Sequence, residues 1–204
     1  CYTGVVRKYH DNNPNVLQEE WFQVAGLREG IYRQYDMHGN LEYIANYVND
    51  NLEGECREYT NTLLTAKCIY IQGQVHGEYY EYWDDGDLYR KTQYNHGKKH
   101  GTQVSHHENG AIHEWFNYVN DKLEGRCYIY DQYGDLYKEM NYVNGLLDGY
   151  SKTFNMYGLS ESTYYSKGKE HGKSRLYGKS VGVEKTLIYY RGMCLCCLLY
   201  TSDA

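Results

Sequence analysis

The sequence predicts an all-β protein, an elongated single-sheet antiparallel meander of about eight tandem β-hairpins of 23–26 residues each. Three observations predict this fold class. Glycines return at a nearly constant interval, aromatic residues hold fixed places between them, and no apolar period of 3.6 residues persists. In such an array each hairpin contacts mainly its neighbours, which is compatible with a mean hydropathy as low as −0.82.

The interval is counted from the glycine that opens each unit. These glycines are Gly4, Gly30, Gly54, Gly77, Gly101, Gly125, Gly149 and Gly172. With that glycine as position 0, position +9 is glycine again in Gly39, Gly86, Gly110, Gly134 and Gly158. Asp85-Gly86 and Asn109-Gly110 predict a reverse turn, because glycine accepts a positive φ without steric cost. A third glycine at +19 or +20 predicts a second turn that leads into the next hairpin.

Aromatic residues mark the strands between these turns. Position +5 is occupied by Tyr9, Tyr35, Tyr59, Tyr82, His106, Tyr130, Phe154 and Tyr177. We expect the large apolar groups at +5, +11, +15 and +17 to pack on one face, since alternate residues of a strand share a face. Tyrosine, which occurs 27 times, suits a half-covered sheet because its ring packs while its hydroxyl reaches water.

The spacing Gly-x4-Tyr-x3-Gly-x-Leu-x5-Tyr-x-Asn-Gly resembles the MORN repeat. Segments 96–101, 108–112 and 142–149 are most similar to the variant repeat of a bacterial toxin–antitoxin antitoxin family called YwqK-like. The resemblance covers residues 30–192. It implies a repeat array that contacts protein or lipid, with antitoxin-like neutralisation of a protein partner as one version.

One repeat array is expected over residues 1–196. The chain starts at Cys1, and its first residues already have the pattern of a strand, so we interpret the sequence as a fragment. Residues 197–204 resemble a translated sequencing adapter and are expected not to be native.

We predict no catalytic residues, no metal site and no cofactor. The histidines His76, His100 and His171 precede an opening glycine where other units have Glu29, Glu53, Glu124 or Asp148, which indicates an interchangeable polar turn position. His107 and His113 have no such explanation.

The cysteines do not indicate a metal site either. Cys194, Cys196 and Cys197 lack a zinc-ribbon spacing. The remaining cysteines form no paired framework, which favours a reduced, intracellular setting.

A protein partner is the leading prediction for function, in a non-enzymatic scaffold. Positions +12 and +14 form the face opposite the packed one, and its exposed anchors would be Tyr89, Trp115 and Tyr137, because Tyr and Trp are favoured at interfaces.

Two alternatives remain open. Residues 149–192 contain eight Lys and Arg against three Glu, in a chain of net charge −6, so Lys167, Lys169, Lys173 and Arg175 could bind an anionic lipid. The array could also be an accessory region of a larger enzyme. The acidic total disfavours nucleic acid, and no apolar run is long enough for a transmembrane helix.

Overall fold

The computed structural model describes residues 2–178 and 183–195, and all regular secondary structure in those ranges is β-strand. The segment 197–204, which is expected not to be native, lies outside the described residues. The chain divides into two compact units, the first ending at Gly101 and the second beginning at Thr102.

The first unit is an antiparallel meander. Its strands are β1 (Gly4–His10), β2 (Asn13–Val24), β3 (Leu27–Tyr35), β4 (Leu41–Val48), β5 (Asn51–Leu52), β6 (Gly54–Thr60), β7 (Leu63–Ile71), β8 (Gln74–Val75), β9 (Gly77–Tyr82) and β10 (Leu88–Asn95). Each long strand pairs with the next long strand along the chain, and the two-residue strands β5 and β8 extend the hairpins β4–β5 and β7–β8. The strand β11 (Lys98–His106) contains the division between the units.

The second unit repeats this arrangement. Its strands are β12 (Ile112–Val119), β13 (Lys122–Leu123), β14 (Gly125–Tyr130), β15 (Leu136–Val143), β16 (Leu146–Leu147), β17 (Gly149–Asn155), β18 (Gly158–Ser166), β19 (Lys169–Tyr177), β20 (Val183–Tyr190) and β21 (Met193–Cys194). Successive strands are again antiparallel. The prediction of an all-β antiparallel meander of hairpins is therefore confirmed.

The first turn of most repeats is organised by a glycine and, in several repeats, an aspartate. The amide of Gly39 donates to the carbonyl of Asp36 at 3.0 Å, and the Asp36 carboxylate accepts from the amides of His38 and Asn40 at 2.8 and 2.9 Å. Hydrogen bonds from Asn40 lower the pKa of Asp36. The predicted turn at Asp85-Gly86 is confirmed, since Gly86 donates to the carbonyl of Trp83 at 2.9 Å.

The second turn is a tight two-residue loop. Both of its central residues have positive φ, which defines a type I′ turn and matches the right-handed twist of the strands. Such pairs are Ala25-Gly26, Asn49-Asp50, Gln72-Gly73, His96-Gly97, Asn120-Asp121, Asn144-Gly145, Lys167-Gly168 and Arg191-Gly192.

Each second turn is hydrogen-bonded to the preceding second turn. The amides of one turn donate to the residues that directly follow the turn before it. In the turn Gln72-Gly73, the Gly73 amide donates to the carbonyl of Leu52 at 2.9 Å, and the Gln72 amide donates to the Glu53 carboxylate at 2.8 Å. The same side-chain contact joins Thr3 to Ala25, Glu29 to Asn49, His76 to His96, Glu124 to Asn144 and Asp148 to Lys167. We call this series the turn ladder.

The turn ladder gives the residue before the opening glycine a specific role. The sequence predicted an interchangeable polar position, but every occupant in the ladder supplies a hydrogen-bond acceptor to a backbone amide. Thr, Glu, Asp and neutral His can all do this, whereas Lys has no acceptor atom.

The opening glycines Gly54, Gly77, Gly125 and Gly149 each begin a long strand, and a bulge surrounds them. Tyr47 is opposite Leu52 while Ile44 is opposite Arg57, so the chain from 52 to 57 carries two extra residues. Gly54 is within this segment and has a φ of 87°, a conformation that glycine adopts readily.

The buried core is a narrow column at position +2 and at positions +14 to +17. The predicted positions +15 and +17 contribute Ala45 and Tyr47, whereas position +2 was not predicted. In the first unit the core consists of Tyr32, Ala45, Tyr47, Cys56 and Cys68. The aromatic residues at +5 are only half-buried, and Tyr9 is exposed. Since each strand packs mainly on the strands beside it, the side chains that lose contact with water are those covered by rings on neighbouring strands.

The core changes character in the second unit. It begins with Gln103 and Ser105, continues with Cys127 and Met140, and ends with Ser151, Ser162, Thr163 and Ser174. The hydroxyls of Thr163 and Ser174 are 2.7 Å apart, so these buried polar groups are hydrogen-bonded.

We predict that Thr62→Gly stabilises the protein. Asn61-Thr62 forms a tight turn with φ values of 50° and 70°, and a β-branched residue is strained there. Relief of this strain should raise the free energy of unfolding by roughly 1 kcal/mol, measured by urea denaturation. Thr60→Gly, at the end of β6, is the control and should lower it. An unchanged urea midpoint for Thr62→Gly would contradict the prediction.

We also predict that Glu124→Ala destabilises the protein by about 1 kcal/mol, because the Asn144 amide loses its acceptor. Glu124→Gln keeps an acceptor oxygen and should lose less. Urea denaturation measures both variants, with Glu108→Ala in an exposed turn as the control. Equal stability of the Ala and Gln variants would show that the ladder contact contributes little.

Candidate functional site

Two of the predicted interface residues, Tyr89 and Tyr137, occupy a β-bulge that recurs at position +12. Tyr82 is opposite Leu88 and Glu81 is opposite Arg90, which leaves Tyr89 as the extra residue. Tyr137 is the extra residue of β15 in the same way, between Leu136 and Lys138. A bulge adds a residue to one strand only, so Tyr89 and Tyr137 have no residue directly opposite them.

Tyr89 is held against its own hairpin. Its ring centroid lies 4.4 Å from that of Trp83, and the Arg90 guanidinium is 5.1 Å from its centre. Arg90 is in turn paired with Glu81 at 2.5 Å. Tyr89 is half-buried as a result and is a poor candidate for a free anchor.

Trp115 and Tyr137, both in the second unit, are exposed to 41% and 51%. Trp115 is directly opposite Tyr128 on β14, and Tyr137 is on β15, the next strand. One strand separates their strands, so their backbones are roughly 10 Å apart across the sheet.

Tyr150, which the sequence analysis missed, extends this surface. It is exposed on β17 and packs edge-on against Tyr164, with ring centroids 5.1 Å apart. Glu139 and Lys152 lie opposite each other and form a 3.2 Å ion pair beside it. We call Trp115, Tyr128, Tyr137 and Tyr150 the aromatic face. Position +1, where Tyr150 stands, shows no consistent residue type, since it is Val5, Ile31, Glu55, Glu78, Thr102, Arg126, Tyr150 and Lys173 in successive repeats.

A basic groove of about 500 Å³ lies near the end of the second unit. It is lined by Ser166, Lys167, Lys169, His171, Tyr190 and Arg191. Of the four predicted anion-binding residues, it contains Lys167 and Lys169 but not Lys173 or Arg175. His171 and Arg191 were not predicted.

The turn ladder creates the basic groove. Lys167 and Arg191 begin two successive type I′ turns, and the Gly192 amide donates to the Glu170 carbonyl at 2.8 Å. The Arg191 guanidinium lies 5.4 Å from the Tyr190 ring, which also contacts His171 at a centroid distance of 5.5 Å. Within residues 2–178 and 183–195, no salt bridge neutralises Lys167, Lys169 or Arg191.

His107, which the sequence left unexplained, has a structural position. Its Nε2 lies 3.1 Å from the carbonyl of Tyr130, and the equivalent His10 Nε2 lies 3.1 Å from the carbonyl of Tyr35. Each imidazole N–H can thus donate to the next repeat. His113 stacks on His107 with centroids 4.3 Å apart.

The described residues contain neither a metal-binding cluster nor a helix that could span a membrane. Positions 2–178 and 183–195 hold no group of three or more His, Cys, Asp and Glu that could bind a metal ion. No helix in the same ranges is long and apolar enough to cross a membrane. Cys196 and Cys197 lie outside them.

Comparison with known protein families and with curated proteins found no match to the chain. The resemblance to MORN repeats therefore stays a prediction from the motif.

Proposed function

We propose that this chain is a non-enzymatic repeat scaffold that binds another protein through the aromatic face. The observation that carries the proposal is the exposure of Trp115 and Tyr137 on strands of the same unit.

Aromatic side chains on paired strands suit this role for an energetic reason. A ring fixed on a strand loses little conformational entropy when a partner covers it, and Tyr and Trp contribute disproportionately to binding energy. The ion pair between Glu139 and Lys152 supplies polar groups beside the rings, as at the rim of an interface. The resemblance to the antitoxin repeat suggests one version, in which the partner is a toxic protein that the scaffold neutralises.

The proposal predicts that Trp115→Ala combined with Tyr137→Ala weakens binding of the partner by about thirty-fold or more, the loss typical of hot-spot residues. Partners are first identified by co-purification with the tagged chain, and their affinity is then measured by calorimetry. Tyr133→Ala is the matched control, since Tyr133 is 80% exposed in a turn beside the face. Unchanged affinity in the double variant would overturn the proposal.

Binding of an anionic group is a second candidate, favoured by the basic groove. Three cationic side chains, Lys167, Lys169 and Arg191, converge there with an imidazole and a serine hydroxyl. Phosphate oxygens accept hydrogen bonds from all of these groups. The site is part of a chain that is acidic overall, so the attraction would be local.

Flotation with phosphatidylcholine vesicles, with and without phosphatidylserine or a phosphoinositide, tests this candidate. Retention on the acidic vesicles should be lost with Lys167→Glu and Lys169→Glu, and largely kept with Lys173→Glu and Arg175→Glu, which lie outside the groove. Displacement by soluble inorganic phosphate would indicate a free anion as ligand. Equal retention of all variants would contradict a role for the groove.

A further inference from the structure

Two buried cysteines of the first unit face each other across a hairpin. Cys56 on β6 is directly opposite Cys68 on β7. Opposed residues of antiparallel strands have Cα atoms about 4.5–5.5 Å apart, within the range that a disulfide requires. Both thiols are free, and their residues are 1% and 4% exposed.

A bulge at position +11, the equivalent of +12 in the other units, brings these two residues together. Thr60 and Tyr59 are opposite Leu63 and Leu64, but Glu58 is opposite Ala66. Thr65 is the extra residue at this point. Without the bulge the register would place Lys67 opposite Cys56, so a regular hairpin would not juxtapose the thiols.

Hydroxyl groups lie beside both sulfurs. The Cys68 thiol and the Tyr43 hydroxyl are hydrogen-bonded to the Cys56 sulfur, and these contacts lower the pKa of Cys56. The contact with Cys56 and burial raise the pKa of Cys68, whose sulfur is hydrogen-bonded to the Tyr70 hydroxyl. Since thiolate is the reactive form, either sulfur can start the reaction, and the products are the same with the two exchanged.

We propose that Cys56 and Cys68 are a redox site that closes to an intramolecular disulfide when a small hydroperoxide is the oxidant. The Cys56 thiolate attacks a peroxide oxygen, so that an S–O bond forms, the O–O bond breaks and the released hydroxide takes up a proton to become water. Cys56 is then a sulfenic acid.

The second step consumes the sulfenic acid. The Cys68 sulfur attacks the Cys56 sulfur, so that the S–S bond forms and the S–O bond breaks. The leaving hydroxide takes the proton that Cys68 releases. The two sulfurs lose two electrons in all, hydrogen peroxide gains both, and the products are one disulfide and two water molecules.

Cys127 supplies a matched comparison. It stands at the same repeat position as Cys56 and is 0% exposed, but the residue opposite it is Met140. Cys127 is therefore as buried as Cys56 but has no cysteine opposite it. Met140→Cys would recreate the opposed pair in the second unit.

The test is disulfide mapping of the full chain. Reduced protein is treated with hydrogen peroxide, free thiols are alkylated in denaturant, and the sample is digested with trypsin without reduction. Cleavage after Arg57 and Lys67 separates the two cysteines into peptides 34–57 and 68–90, which only a disulfide can hold together. We expect that linked pair, with the mass of two hydrogen atoms lost, and its separation by dithiothreitol.

Peroxide present during refolding from urea repeats the test under conditions in which burial cannot block access. In the Met140→Cys variant, peptide 127–138 should become linked in the same way to the peptide that follows it. Cys127 in the unsubstituted chain should stay alkylated. Free thiols at Cys56 and Cys68 after both treatments, or a link from either one to another cysteine, would overturn the proposal.

Discussion

The turn ladder is the interaction on which the rest of each unit depends. A long antiparallel meander must fix the register of every hairpin, because a slip of one residue moves each side chain to the opposite face. The type I′ turns set that register locally, and the bond from a turn amide such as that of Gln72 to Glu53 fixes each turn against the one before it. Hydrogen bonds between the turns therefore align neighbouring hairpins at one end. The buried core makes too few contacts to fix this alignment alone.

Because the turns fix the register, positions outside the turns and the core are free to vary. The ladder needs glycine or a tolerant residue in the turn and an acceptor before the opening glycine, and the core needs a covered side chain at +2 and near +15. The bulge, which lies at +12 or +11, has neither requirement, and it carries residues as different as Glu42, Thr65, Tyr89, Tyr137 and Ser160. Surface chemistry can therefore change from repeat to repeat without disturbing the hairpins, as expected for a scaffold.

The sequence predicted the fold well because the repeat was visible in glycine spacing and because turns are local. It predicted the core less well. Position +2 holds Tyr32, Cys56 and Ser151 in different repeats, so neither size nor polarity identifies it, and burial there follows from cross-strand neighbours. The basic groove was found only in part, since Arg191 comes next to Lys167 through stacking of turns some two dozen residues apart. The opposed pair of Cys56 and Cys68 depends on a one-residue bulge that spacing alone does not reveal.

The core is only one side chain wide, which explains why both polar and apolar side chains can be buried in the two units. In a thick core a polar group far from any strand would remain unsatisfied, at a cost of several kcal/mol. Here several buried residues lie directly opposite another buried residue on the neighbouring strand, as Thr163 does with Ser174 and Cys56 with Cys68. The same arrangement that limits apolar burial thus permits hydroxyl and thiol pairs in the interior. The fold depends more on contacts between paired strands than on burial of a large apolar core. This is why the chain can remain strongly polar.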